Sequence, residues 1–275
     1  MSAEAERPKL WSVTVAALLV LIAWEVCGLD LVASRLFVDE SGFVWRDHWL
    51  AQRVLHDGGR WVAGAVLAAL LARVAWPGRA GPARRERTYW LLVTVTCFLL
   101  VPALKRLSDT SCPWSLAEFG GALPYVAHWR LGVTDGGPGH CFPSGHAVAA
   151  FGLLPQYFLW RARDGRRARA WLAAVALLGL LFGGAQLVRG AHFVSHTLWS
   201  AWLCWTLALV AAQWAPGGVP TDLTSSGTQA LPWPARRIDQ LAVARVAASQ
   251  PPGREHEPQR HGHAHVPDAH HAHRH

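Results

Sequence analysis

Residues 88–104 read TYWLLVTVTCFLLVPAL, seventeen residues without a charged side chain, and Lys105 follows at once. A helix needs ~20 mostly apolar residues to cross a bilayer's hydrocarbon core, and this stretch with its flanks meets that length. Five more stretches of the kind lie around it, roughly Leu10–Leu31, Trp61–Trp76, His146–Trp160, Trp171–Val188 and His196–Trp214. Trp61–Trp76 and His146–Trp160 are short, so their flanking aromatics and Arg73 are expected to reach into the interface. Composition agrees: 52% of the 275 residues are hydrophobic, only 16% are charged, and 16 are Trp. That balance excludes an ordinary soluble domain. The expected fold class is all-α, a polytopic membrane protein with six transmembrane helices in a bundle over residues 1–215. The first segment has no small-residue cleavage site and reads as a retained anchor.

Arginine sets the expected orientation, because short loops rich in Lys and Arg stay on the cytoplasmic side. Arg79, Arg84, Arg85 and Arg87 follow the second segment, and Arg161, Arg163, Arg166, Arg167 and Arg169 follow the fourth. The longer loops after the first and third segments mix sparser Arg with Asp39, Asp47, Asp57, Asp109 and Asp135. Both termini are therefore expected in the cytoplasm of a cell bounded by a plasma (inner) membrane. The net charge of +8 is read as this topological signal, and no nucleic-acid partner is expected.

Two regions fall outside the segments. In residues 37–60, Val44, Trp45, Leu50, Val54 and Leu55 suit an amphipathic helix lying in the interface. Residues 216–275 turn polar and end in a His-rich run, which reads as a disordered cytoplasmic tail.

Three polar clusters sit at segment ends on the expected outer side. Lys105 closes the third segment; Cys141-Phe142-Pro143-Ser144-Gly145-His146 opens the fourth; Gly190-Ala191-His192-Phe193-Val194-Ser195-His196 opens the last. A helix start offers unpaired N–H groups to an anion. Ser144 adds a hydroxyl, Gly145 lets an oxygen approach the backbone, and His146 titrates near neutrality, as proton transfer requires. The tetrapeptide alone fits a Pro-Ser helix cap equally well. His192 and His196 share a face if the last helix starts at or before His192. One ring then fixes the other's tautomer and leaves a nucleophilic nitrogen. The pair also makes half a metal site, or two incidental loop histidines. Lys105 and Arg189 taken singly fit interfacial anchors.

Taken together, the clusters resemble the type 2 phosphatidic acid phosphatase superfamily of lipid phosphate phosphatases. That family carries Lys-x6-Arg-Pro, Pro-Ser-Gly-His and Ser-Arg-x5-His-x3-Asp. Here the first runs from Lys105 to Cys112-Pro113, the second is complete at 143–146, and the third runs from Ala185-Gln186 to His192 and His196. The resemblance covers about residues 88–214. It implies metal-independent chemistry with no cofactor. His192 would be the nucleophile that becomes a phosphohistidine, and His146 the acid that protonates the leaving lipid alcohol. Lys105, Ser144 and the Gly145 N–H would cradle the phosphate oxygens. The implied partner is a membrane lipid bearing phosphate or diphosphate.

Three positions depart from the pattern: Cys112 and Gln186 stand where arginines are usual, and His196 where an aspartate orients the nucleophile. Arg189, one turn past Gln186, is the expected replacement cation. A neutral His196 is expected to accept the His192 N–H. The departures imply a variant subfamily with rearranged cations, or a repurposed protein. Cys112 and Cys141 both fall in the expected outer loop and are expected to form a disulfide that pins the first motif to the second, with two free thiols as the alternative. Two rivals share the residues: a phosphotransferase passing the phosphoryl group to a second lipid, and a non-catalytic lipid-phosphate binder.

Overall fold

The computed structural model describes residues 3–76, 81–130 and 132–216, all within one compact unit, Met1–Pro220. The expected tail, from residue 217 on, lies outside the described residues. In chain order the helices are α1 (Ala3–Val26), α2 (Leu29–Arg35), α3 (Gly58–Ala75), α4 (Arg84–Arg106), α5 (Val148–Phe151), α6 (Pro155–Arg161), α7 (Gly165–Val188) and α8 (Val194–Ala211). A two-stranded hairpin, β1 (Val38–Asp39) and β2 (Gly42–Phe43), follows α2 with Val38 opposite Phe43.

Among the described residues, five helical stretches are long and apolar enough to cross a membrane: Pro8–Val26, Leu50–Ala75, Arg84–Arg106, Gly165–Val188 and Val194–Ala211. Their outward faces carry Val13, Leu19, Leu92, Leu99 and Leu180 exposed, as a bundle in lipid requires. Inside, Cys97 and Val101 of α4 pack with Val148, Leu153, Val175 and Cys204. The protein is thus helical and integral to a membrane.

Two segments differ from the expectation. The interfacial helix and the second span form one element, because a π-helical stretch at Leu50–Asp57 runs directly into α3. Fifteen residues at Trp61–Ala75 fall short of a bilayer, and the extension makes up the length. The stretch His146–Trp160 is not one helix. Gly152, Leu153 and Leu154 make tightened turns, with the Leu153 and Leu154 N–H groups reaching Ala150 and Phe151 three residues back. Pro155 then restarts the helix as α6. Proline has no N–H for the Phe151 carbonyl and its ring crowds that carbonyl, so the chain tightens before it.

The helix ends that place the site are well specified. Asp164 caps α7 by accepting the Arg166 and Arg167 N–H groups at 3.1 and 3.0 Å. At the other end Gly190 adopts φ +69. Its N–H donates to the Leu187 carbonyl at 2.9 Å, and that of Ala191 to the Gln186 carbonyl at 2.8 Å, the paired bonds of a Schellman ending. A Cβ at Gly190 would also run into the Phe43 ring. Gly190→Ala is therefore expected to cost about 1–3 kcal/mol and to displace His192. A lowered unfolding midpoint together with lost activity checks this; a midpoint equal to wild type contradicts it.

Helix α8 receives a remote cap. Its Ser195 N–H donates to Asp30 Oδ1 of α2 at 3.0 Å, and the same oxygen accepts Trp24 Nε1–H at 2.9 Å. A carboxylate at a helix start meets the positive end of the dipole. It fixes where α8 begins, two residues after His192.

Candidate active site

The three polar clusters meet at one end of the bundle, where α4 and α7 finish and α5 and α8 begin. A Cβ built on Gly145 would lie 3.3 Å from Lys105 Cδ and 3.7 Å from its Nζ. The lysine stem therefore lies across the bare glycine backbone, and any side chain there would crowd it. Ser144 is fully buried. Its N–H donates to the His196 carbonyl at 3.0 Å, and its carbonyl accepts Ser200 Oγ–H at 2.9 Å. The loop at 144–146 is thereby pinned to α8. The His146 and His192 ring centroids lie 6.2 Å apart.

His192 is buried, and its Nδ1 lies 2.8 Å from the Cys141 carbonyl oxygen. A carbonyl can only accept, so Nδ1 carries the proton and Nε2 keeps a free lone pair. Burial is the main cause holding the His192 pKa well below its ordinary value, with the charge of Lys105 and then His196 and His146 adding to it. The ring is therefore neutral at pH 7, the form that can attack phosphorus.

This arrangement corrects two expectations. The partner of the His192 N–H is the Cys141 main chain, not His196. The two rings sit 5.9 Å apart and tilted by 67°, and among the described residues His196 Nδ1 makes no hydrogen bond. They share no helical face, because the Gly190 turn and the extended Phe193 delay α8 to Val194.

Cys112 and Cys141 are joined as a disulfide, 29 residues apart in sequence. The Cys141 N–H donates to the Thr110 carbonyl at 2.9 Å, so this residue is held from both sides. The bond also bears on metal binding. Cys141 Sγ, His192 and His196 offer atoms within 4.8 Å of one another. A sulfur committed to a disulfide is not a thiolate, and two neutral imidazoles are half of a tetrahedral set.

The expected replacement cation lies elsewhere. Arg189 is buried, and its Nε donates to the Arg46 carbonyl at 2.9 Å. That hydrogen bond ties Arg189 to the segment around Arg46. Burial lowers its pKa, the carboxylates of Asp47 and Asp57 act against that, and Arg46 adds to the lowering. Gln186 is buried, with its backbone carbonyl closing the turn and its side-chain Nε2 unpartnered among the described residues.

Three residues near the site escaped the reading of the sequence. His128 stacks on Phe142 with centroids 3.7 Å apart, and its Nδ1 lies 3.4 Å from Glu25 Oε1. Burial pushes His128 down to about 4, so this contact joins a neutral imidazole to a carboxyl and is not an ion pair. Trp199 Nε1 donates to the same Glu25 oxygen at 2.9 Å. Acidic residues at the end of an apolar segment are a signal in themselves, and Glu25 and Asp30 carried it. His128, in a loop, carried none.

The PAP2 superfamily matches the chain over residues 87–218. Those residues, just under half of the chain, are the part similar to the PAP2 superfamily. The match contains all three polar clusters, from α4 to the end of α8. Among solved structures, the chain is similar to that described as the first transmembrane PAP2 type phosphatidylglycerolphosphate phosphatase from Bacillus subtilis. The TM-score is 0.48 and the identity 17%, covering 76% of this chain and 95% of that one. No curated protein matches the chain.

The depressed His192 pKa gives a pH prediction. A histidine nucleophile is lost as pH falls through its own pKa, so if His192 has that role the acid limb of kcat/KM is expected below 6.5, the ordinary histidine value. Lys105→Met removes one cause of the depression and should move that limb upward. A wild-type limb at or above 6.5 that does not move in the variant contradicts the assignment.

Proposed function

We propose that this protein is an integral membrane lipid phosphatase working through a phosphohistidine. The lipid phosphate settles with its oxygens on Lys105 Nζ, Ser144 and the Gly145 N–H. His192 Nε2 attacks phosphorus, and the bond from phosphorus to the lipid oxygen breaks. His146 gives its proton to that oxygen, releasing the lipid alcohol. A water then attacks the phosphohistidine, His146 takes the water's proton, and inorganic phosphate leaves with His192 restored. Every group in these steps belongs to this chain: a cationic cradle at Lys105, the nucleophile His192 and the acid–base His146.

The observation that carries this reading is the His192 hydrogen bond to the Cys141 carbonyl. It leaves Nε2 as the lone-pair nitrogen in a neutral ring beside Lys105 and His146. The carbonyl thus does the orienting work of the aspartate that His196 replaces, without that carboxylate's negative charge. A phosphohistidine survives alkali and decomposes in acid. Brief exposure to lipid bearing labelled phosphate, followed by an alkaline quench, should leave label on wild type and none on His192→Ala. Label retained by the variant would overturn the assignment.

The lipid chain has a route. A cleft of about 350 Å³ is lined by Phe142, Pro143, Leu104, Leu107, Trp199 and Leu203. A headgroup can enter there while acyl or isoprenoid chains remain in lipid. The sixth crossing belongs to the same reading: residues 146–161 start beside Lys105 and finish where Phe158 stacks on Trp90 at 5.7 Å, near the start of α4. They therefore run the length of the bundle as the broken pair α5–α6. With six crossings, the arginine-rich loops favour both termini in the cytoplasm and the site at the outer face of the plasma (inner) membrane. We further take residues 1–215 as the catalytic domain and 216–275 as its cytoplasmic tail.

A further inference from the structure

The opposite end of the bundle carries a second concave site. A cavity of about 490 Å³ is walled by Arg73, Arg87, Gln156, Trp160, Arg167 and Trp171. Arg87 precedes Lys105 by eighteen residues on α4, about 27 Å at 1.5 Å per residue, so this is not the histidine cluster.

Its polar groups are short of partners. Arg87 is 8% exposed, and among the described residues its Nε makes no hydrogen bond. Gln156 is 1% exposed; its Nε2 donates to Thr94 Oγ1 at 3.2 Å, while Oε1 has no partner. The neighbouring acids are engaged elsewhere. Glu86 accepts the Ala83 N–H at 2.9 Å and pairs with Arg163 at 2.7 Å. Asp164 caps α7 and pairs with Arg167 at 3.0 Å, whose guanidinium also lies 4.7 Å over the Trp160 ring. Among the described residues, Arg73 and Arg87 thus line the cavity with no carboxylate paired to them. A buried guanidinium without a counter-anion is unfavourable, and an entering anion removes that penalty.

We propose that this cavity binds the phosphate-bearing headgroup of an anionic phospholipid. Arg87 and Arg73 hold the phosphate oxygens, a contact that the planar guanidinium makes in pairs of bonds. Gln156 Oε1 accepts from a headgroup hydroxyl. The apolar part of the wall, Leu70, Leu91 and Leu159, is the reason for choosing a lipid over free phosphate. It gives the first carbons of the chains a surface that leads from the arginines into the bilayer. Basic pockets between helices at a membrane face suit such headgroups. This site is independent of the phosphatase reading.

The test is thermal unfolding of the full chain in neutral detergent, titrated with phosphatidylglycerol, phosphatidylcholine or inorganic phosphate. Phosphatidylglycerol should raise the midpoint saturably, and the other two should not. Arg87→Met, relieved of an unpaired buried charge, should unfold no earlier than wild type without lipid. Its apparent affinity for phosphatidylglycerol should be at least about tenfold weaker, as expected for losing a charged hydrogen bond. Arg73→Gln lies on the surface, so its fold is safe, and it should weaken the response in the same direction. His192→Ala should keep the full response, which separates this site from the catalytic one. Wild-type responses in both arginine variants would overturn the proposal. So would a midpoint that inorganic phosphate raises as far as the lipid does, which would mark a site for the free anion.

Discussion

His192→Ala is expected to lower phosphate release at least about a thousandfold, to the rate left by binding alone. The reason is specific to covalent catalysis. If His192 only bound phosphate, its loss would raise KM and leave kcat within about tenfold. If it is the nucleophile, the route through two easier steps disappears and kcat falls. His146→Ala should behave differently. An acid is needed in proportion to how poor the leaving group is, so this variant should lose about 10²–10⁴-fold on a lipid alkyl phosphate. It should lose far less on a nitrophenyl phosphate, whose phenolate leaves unaided. Equal losses on both substrates would remove His146 from the role of acid.

Opening the Cys112–Cys141 disulfide is the second large effect. Cys141 supplies the carbonyl that fixes the His192 tautomer, and it lies at one end of the bridge. Reduction by a dithiol, or Cys112→Ser, leaves the carbonyl chemically intact but frees its backbone on one side. Loss of a group that orients a catalytic residue commonly lowers function by about 10–100-fold. That range is expected here in kcat, with KM within about twofold, because no phosphate contact is removed. The chain-entropy account of a loop this size adds about 3–4 kcal/mol of lost stability. Activity should return on reoxidation with a small-molecule disulfide. Unchanged kcat in protein whose mass shows both thiols free would mean that the Thr110 hydrogen bond alone holds the carbonyl.

The class and family were legible because they depend on features that sequence displays directly. Uncharged runs such as residues 88–104 announce helices in lipid, and three spaced motifs announce the family. What escaped depends on how the chain turns between motifs. Arg189 and His192 are three apart, which on a continuous helix would bring them together. The left-handed Gly190 breaks that helix and sends Arg189 to the Arg46 carbonyl. The same break keeps His192 and His196 from sharing a face. The His192 partner was invisible for another reason, since a main-chain carbonyl has no residue type to read. Pro155 was a visible warning that the fourth segment is not one helix. The start of the second span at Leu50 was masked by the polar residues Gln52, Arg53 and Asp57.

The central claim is that this chain hydrolyses lipid phosphates through His192 without a metal. Its most direct test is phosphate release from a panel of lipid phosphates and diphosphates by purified protein in EDTA, comparing wild type with His192→Ala. The panel includes phosphatidate, phosphatidylglycerol phosphate, undecaprenyl diphosphate and lipid A phosphates. The account predicts release that survives the chelator for at least one lipid and disappears in the variant. Release that the chelator stops, or that the variant retains, would contradict it. So would the absence of release from folded, oxidised protein on every lipid, which would favour transfer to a second lipid or binding without turnover.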